Sequence, residues 1–87
     1  MQIIYSAQFI RDYKRLDSRT KEKAEEKEEI FRENPFNAIL KTHKLSGRLD
    51  NLWSFSVDYD CRIIFEIKTE KVFIFHAIGG HSIYKGF

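Results

Sequence analysis

The stretch "LWSFSVDYDCRIIFEIKTEKVFIFHAIGG", Leu52 to Gly80, decides how this chain folds. It holds three strand-like runs separated by short polar breaks. Leu52 to Val57 alternates, with Trp53, Phe55 and Val57 on one face and Ser54 and Ser56 on the other. Cys61 to Lys68 does the same: Cys61, Ile63, Phe65 and Ile67 share one face, and Asp60, Arg62, Ile64 and Glu66 the opposite one. Lys71 to Ile78 is apolar on both faces, as a central strand is. The breaks Asp58-Tyr59-Asp60 and Lys68-Thr69-Glu70 are too short for a crossover, so the three runs form an antiparallel meander.

Working back from the meander, Pro35 to Asn51 reads as a loop with local turns. Before it, Arg19 to Glu33 predicts a very polar helix whose candidates for burial are Ala24, Ile30 and Phe31. Lys21–Glu25 and Glu28–Arg32 are favourable pairs one turn apart, while Glu22–Glu26 and Lys23–Lys27 oppose them. Packing of a narrow apolar stripe must therefore supply most of its stability. Asn34-Pro35 ends it. Ala7 to Leu16 predicts an earlier helix with Phe9, Tyr13 and Leu16 on one face and Ser6 as its cap. Asp17 and Ser18 mark the break between helices, and Gln2 to Tyr5 reads as an opening strand. The order is β-α-α-β-β-β. That is an α+β fold, a small antiparallel-rich sheet with two N-terminal helices packed on one face, in a single domain over 1–87. The face with Trp53, Phe55, Ile63 and Phe65 should take the helices. The face with Ser54, Ser56, Asp60 and Arg62 should stay open for a substrate.

The totals narrow the function. A chain of 87 residues fits one modest core, and 15% aromatic residues make that core dense. No apolar run is long enough to span a bilayer. "MQIIYSAQFI" lacks the regions of a secretory signal. The single cysteine, Cys61, makes no internal disulfide, and a reducing cytoplasm is the expected compartment. Net charge is +2, but Ser18 to Asn34 carries five basic and six acidic residues, so the surplus lies elsewhere. Arg11, Lys14 and Arg15 form one basic cluster and Lys41, Lys44 and Arg48 another, a mild invitation to a polyanion.

His43, His76 and His81 have no metal-site spacing, so neither a metal nor another cofactor is expected. His76 sits inside the most apolar strand and reads as a half-buried, hydrogen-bonded ring. His43 lies in the loop "THKLSG". His81 follows Gly79-Gly80, where the backbone can turn sharply and a ligand can approach closely. For both, a plain surface position is the competing reading. Arg62, in an otherwise apolar strand, needs either a salt bridge to Asp60 or Glu66, or a role as a guanidinium fork for a phosphate. Cys61 points to the helix-packed face and reads as a small core residue. No phosphate-binding glycine loop, nucleophile elbow or dinucleotide fingerprint is present. Chemistry that needs only His, Asp, Arg and Lys remains. RNA cleavage is such a reaction: the 2′-hydroxyl attacks phosphorus, a base takes its proton, an acid protonates the departing 5′-oxygen, and cations stabilise the phosphoryl charge.

Taken in order, "IIYSAQFIRDYKRL" at 3–16, "ENP" at 33–35, "HKLSG" at 43–47, a Trp-containing strand, "DCRIIFEI" at 60–67 and "KVFIFHAIGGHSIYK" at 71–85 resemble the RelE/ParE superfamily of bacterial type II toxins. Among its branches the YafQ-like one is nearest. The resemblance implies a metal-independent messenger-RNA endoribonuclease that acts in the ribosomal A site, and a cognate antitoxin that restrains it. By position it implies His81, His43 and Asp60 as the proton-transfer groups and Arg62 as the phosphate holder. Lys41, Lys44 and Arg48 would bind the RNA backbone, and Tyr84 would stack on a base or position the phosphate. Phe9, Tyr13 and Phe31 are candidate antitoxin contacts, with core packing the competing use of each. An unperturbed imidazole titrates near about 6.5, so two histidines can supply both protonation forms at neutral pH. Ser56 stands where the YafQ-like pattern has another histidine, and Cys61 where it has a tryptophan. The tail lacks the arginine of the RelE branch proper. A ParE-like inhibitor of DNA gyrase without nuclease chemistry shares this fold and is the rival expectation. A non-toxic binding module is the third.

Overall fold

The computed structural model describes residues 1–49 and 51–86. Strand β1 (Gln2–Tyr5) leads into helices α1 (Ala7–Lys14) and α2 (Ser18–Glu33). Both helix starts obey the capping chemistry. Ser6 Oγ accepts from the Phe9 amide at 3.0 Å, and Asp17 Oδ1 accepts from the Thr20 amide at 2.7 Å. Ser6 also donates its hydroxyl proton to the His76 carbonyl at 3.0 Å, so the cap ties the helix to the sheet.

After α2 come the short strand β2 (His43–Lys44), then β3 (Trp53–Ser56), β4 (Arg62–Thr69) and β5 (Val72–Gly79). Spatial order is β1-β5-β4-β3-β2. The β2–β5 pairs are antiparallel, as the short breaks predict, and β1 lies parallel to β5. Two features depart from the expected layout. The 35–51 loop contributes a fifth strand, because His43 and Lys44 pair with Ser54 and Trp53. In β5 the register skips His76: Ile64 faces Ala77, but Phe65 faces Phe75. This bulge turns the strand over once, so Phe73, Phe75 and Ile78 all face the helices.

The helix-bearing face holds the main core, with Phe31, Phe55, Phe65 and Phe75 fully buried. Phe31 is fully buried in it, which leaves no surface for a partner, while Phe9, packed in the same core, also lines a surface concavity with Tyr5, Ile10 and Tyr13. Cys61 is buried there too, as alternation predicts, and burial pushes its thiol up to about 11. The opposite face is less open than expected. Ser54, Ile64 and Ala77 are fully buried. Leu45, Leu49, Ile83 and Tyr84 pack over Leu52, Ile64 and Ala77 as a second, smaller cluster. Among the described residues, no helix is long and apolar enough to cross a membrane.

Candidate active site

Directly opposed residues in a sheet share a face, so the strand register places the side chains. On the helix-free face, His43, Ser54, Ile64 and Ala77 form one row across β2, β3, β4 and β5. Ser56, Arg62 and Gly79 form the next row, nearer the end of the sheet. Beyond it lie the β3–β4 turn and the exit of β5.

At that end Tyr59, Asp60, Arg62 and His81 line one concavity of about 330 Å³. Among the described residues, neither Asp60 nor Glu66 forms an ion pair with Arg62. Glu66 is taken by His76, whose Nε2 lies 2.9 Å from its Oε1. That contact also confirms the hydrogen-bonded reading of His76. The Arg62 guanidinium is thus a half-buried cation with its donors available to a ligand. Its neighbour on β5 is Gly79, which places no side chain beside it.

Gly79 is required for a second reason. Its φ is +156°, and a Cβ there would lie 2.9 Å from Ile83 Cγ2. The chain then closes into a 3-10 segment, His81–Gly86, begun by the bond from the Ile83 amide to the Gly80 carbonyl at 3.1 Å. Through Ile83 and Tyr84 this segment seats on the sheet. Tyr84 Oη lies 3.1 Å from Ser54 Oγ, and its ring meets the His81 ring edge-on at 5.5 Å. His81 is therefore carried by a packed turn.

The β3–β4 turn is braced as well. Asp58 Oδ1 accepts from the Asp60 amide at 2.9 Å, and Ser56 donates to the Asp58 carbonyl at 2.9 Å. From α2, Lys27 donates to the Val57 carbonyl at 2.7 Å, and Lys23 reaches Asp58 at 3.7 Å.

The remaining sequence-derived candidates spread outward. His43 shares the face, but it sits on the sheet edge beside Ser54, with Nδ1 3.1 Å from the Lys41 carbonyl. Two strand spacings, about 10 Å, separate it from the strand of Arg62. Lys41 is exposed with φ 54°, and Arg48 is exposed in the Gly47–Leu49 turn beside Leu49 of the smaller cluster. Lys44 pairs with Trp53, which puts it on the helix-bearing side, away from the concavity. Tyr84 is half-buried and bonded to Ser54, so it anchors its turn. Among the described residues, no group of three or more His, Cys, Asp or Glu side chains is placed to hold a metal ion.

The family model "Bacterial toxin of type II toxin-antitoxin system, YafQ" matches residues 1–85. The chain belongs to the YafQ family of type II toxins. Among solved structures, YafQ from E. coli strain BL21(DE3) is similar at 26% identity and a TM-score of 0.79, over 95% of this chain and 96% of that one. YafQ in the E. coli DinJ–YafQ toxin–antitoxin complex is 27% identical, with a TM-score of 0.76, over 94% and 93% of the two chains. The YoeB/ParE toxin from Agrobacterium tumefaciens, 20% identical with a TM-score of 0.79 over 93% and 99%, shares the fold. A search of curated protein sequences finds no match.

Tyr59 also lines the concavity of this YafQ-family toxin, although the sequence pattern alone reads it only as part of the Asp58-Tyr59-Asp60 connection. Its signal was an aromatic ring set between two aspartates in a tight turn, where no core can reach it. Tyr59 is 92% exposed.

Proposed function

We propose that this toxin is a messenger-RNA endoribonuclease acting on ribosome-bound message in the cytoplasm, by 2′-hydroxyl attack and without a metal. The observation that carries the reading is the concavity in which an available arginine, a carboxylate and an imidazole meet. A guanidinium fork matches two non-bridging phosphate oxygens, and it stabilises the charge that grows on them in the transition state. Attacking and leaving oxygens lie roughly in line through phosphorus, so proton acceptor and donor belong on opposite sides of the bound phosphate.

Asp60 and His81 adjoin Arg62 at the sheet end, while His43 lies on the inner side, one row back along β3. A phosphodiester held by Arg62 then has the Asp60 carboxylate and the His81 imidazole in the same concavity to divide the roles of acceptor and donor, whereas His43 stands about 10 Å away across two strands. Lys41 and Arg48, exposed in the loop beside the open face, contribute to the electrostatic hold on the strand leaving the site, and Lys44, on the helix-bearing side, does not. Membership of the YafQ family, with the DinJ–YafQ complex as a relative, supports a cognate antitoxin as the physiological partner.

Controlled expression followed by mapping of messenger 5′ ends tests the reading. Cleavage within codons of translated messages is expected. Replacing His81 by Ala should preserve the fold and antitoxin co-purification while growth arrest falls at least about 100-fold, the usual scale for losing a general acid or base. Intact message in arrested cells, accompanied by DNA-damage signalling, would point to gyrase instead.

A further inference from the structure

We infer that Tyr59 is a stacking platform for a base of the messenger adjoining the scissile phosphate. The inference rests on the nuclease reading and names how that site holds its substrate. Tyr59 lines the same concavity as Arg62, Asp60 and His81. At 92% it is the most exposed of the large apolar side chains, and among the described residues no ring stacks on it. An aromatic ring left in water at a turn tip does nothing for the core. Here it also adjoins a cation suited to phosphate.

The turn beneath it is held from two sides. Asp58 closes the loop locally, and Lys23 and Lys27 tie it to α2. The ring therefore stands on an ordered backbone, and little backbone entropy is lost when a base settles on it. RNA with unpaired bases is gripped by this combination, a cationic phosphate contact with an aromatic plane one nucleotide away. The neighbouring Tyr84 ring is edge-on to His81 and its hydroxyl is bonded to Ser54, so it does not offer its face to the concavity. Tyr59 thus supplies an exposed flat surface at the concavity.

The test uses purified toxin and ribosomes programmed with a defined message. Tyr59→Ala should lower kcat/KM about 10- to 100-fold, chiefly through KM. Tyr59→Phe and Tyr59→Trp should keep most of the activity, and Tyr59→Leu should not. Thermal unfolding and antitoxin co-purification should be unchanged in all four.

A second arm identifies the base. Messages abasic at the nucleotide before or after the cleaved bond are compared, and one of them should slow the wild type as much as Tyr59→Ala does. On that message Tyr59→Ala should cost nothing more, because the partner is already gone. Losses that simply add for both messages would mean the ring meets ribosomal RNA and would overturn the assignment. So would an unimpaired Tyr59→Ala, or a Tyr59→Phe as poor as Ala. Wild-type toxin that leaves the message whole would sink the nuclease reading first and this inference with it.

Discussion

The two faces of the sheet solve different problems with the same strands. On the helix-bearing face, Phe31 of α2 is fully buried and its ring lies 4.9, 5.0, 5.3 and 5.2 Å from those of Phe55, Phe65, Phe73 and Phe75. Most of these contacts are edge-on, the geometry aromatic quadrupoles favour. Among the described residues the other face has a smaller cluster, Leu52, Ile64 and Ala77, covered by Leu45, Leu49, Ile83 and Tyr84. Alternation along β4 states the division: Ile63 and Phe65 go one way, Arg62 and Glu66 the other. Stability is concentrated on one side, which leaves the other side free to carry polar groups aimed at a ligand.

Substitutions that separate the faces can break this comparison. Phe31→Ala should cost about 3–5 kcal/mol by denaturant titration, the range for emptying a buried aromatic site. A loss of less than about 1 kcal/mol would show that the ring cluster is not the main source of stability. Tyr84→Phe acts on the other face. It leaves the fully buried Ser54 hydroxyl without its partner, so about 1–3 kcal/mol is expected. Faster amide exchange should be confined to the His81–Gly86 segment, and toxicity should drop because His81 rides on it. Uniform loosening of the whole domain would argue that the smaller cluster belongs to the main core.

The smallest effect is alkaline. Burial, and next the Asp58 charge, raise the Cys61 thiol to about 11, from about 8.5 when unfolded. A raised thiol means the folded state holds its proton longer. Its contribution is complete below the unfolded value and is lost as pH climbs toward 11. The stability-versus-pH curve should therefore fall between these values, and Cys61→Ala should flatten the lower part of that fall. Tyr5 and Tyr13, also raised chiefly by burial, leave the higher part in place.

Much of this was legible in the sequence because it is local. Ser6 and Asp17 announce the helix starts, and Trp53-Ser54-Phe55-Ser56 announces which face meets the helices. Arg62 is visible as a cation in an apolar strand. What escaped depends on distant partners. The pairing of His43 with Ser54 brings an irregular loop into the sheet, and two residues carry too little pattern to show it. The bulge at His76 exists because both Phe75 and Ile78 have to reach the main core, a demand set by the helices above them. The cover over Ser54 likewise comes from Tyr84, 30 residues later. Asp60, Arg62 and His81 line one concavity while His43 stands apart from it, and Tyr59 is visible only once its turn is seen bordering that concavity.

The parallel pairing of Gln2–Tyr5 with Val72–Phe75, the first half of β5, also constrains biosynthesis. The Ser6 hydroxyl waits for a carbonyl 70 residues further on. A chain still being translated can form its helices but cannot close its sheet. The segment bearing His81 is made later still. The sheet can therefore close only after residues 72–79 have been made, and the turn that carries His81 can seat on it only after that.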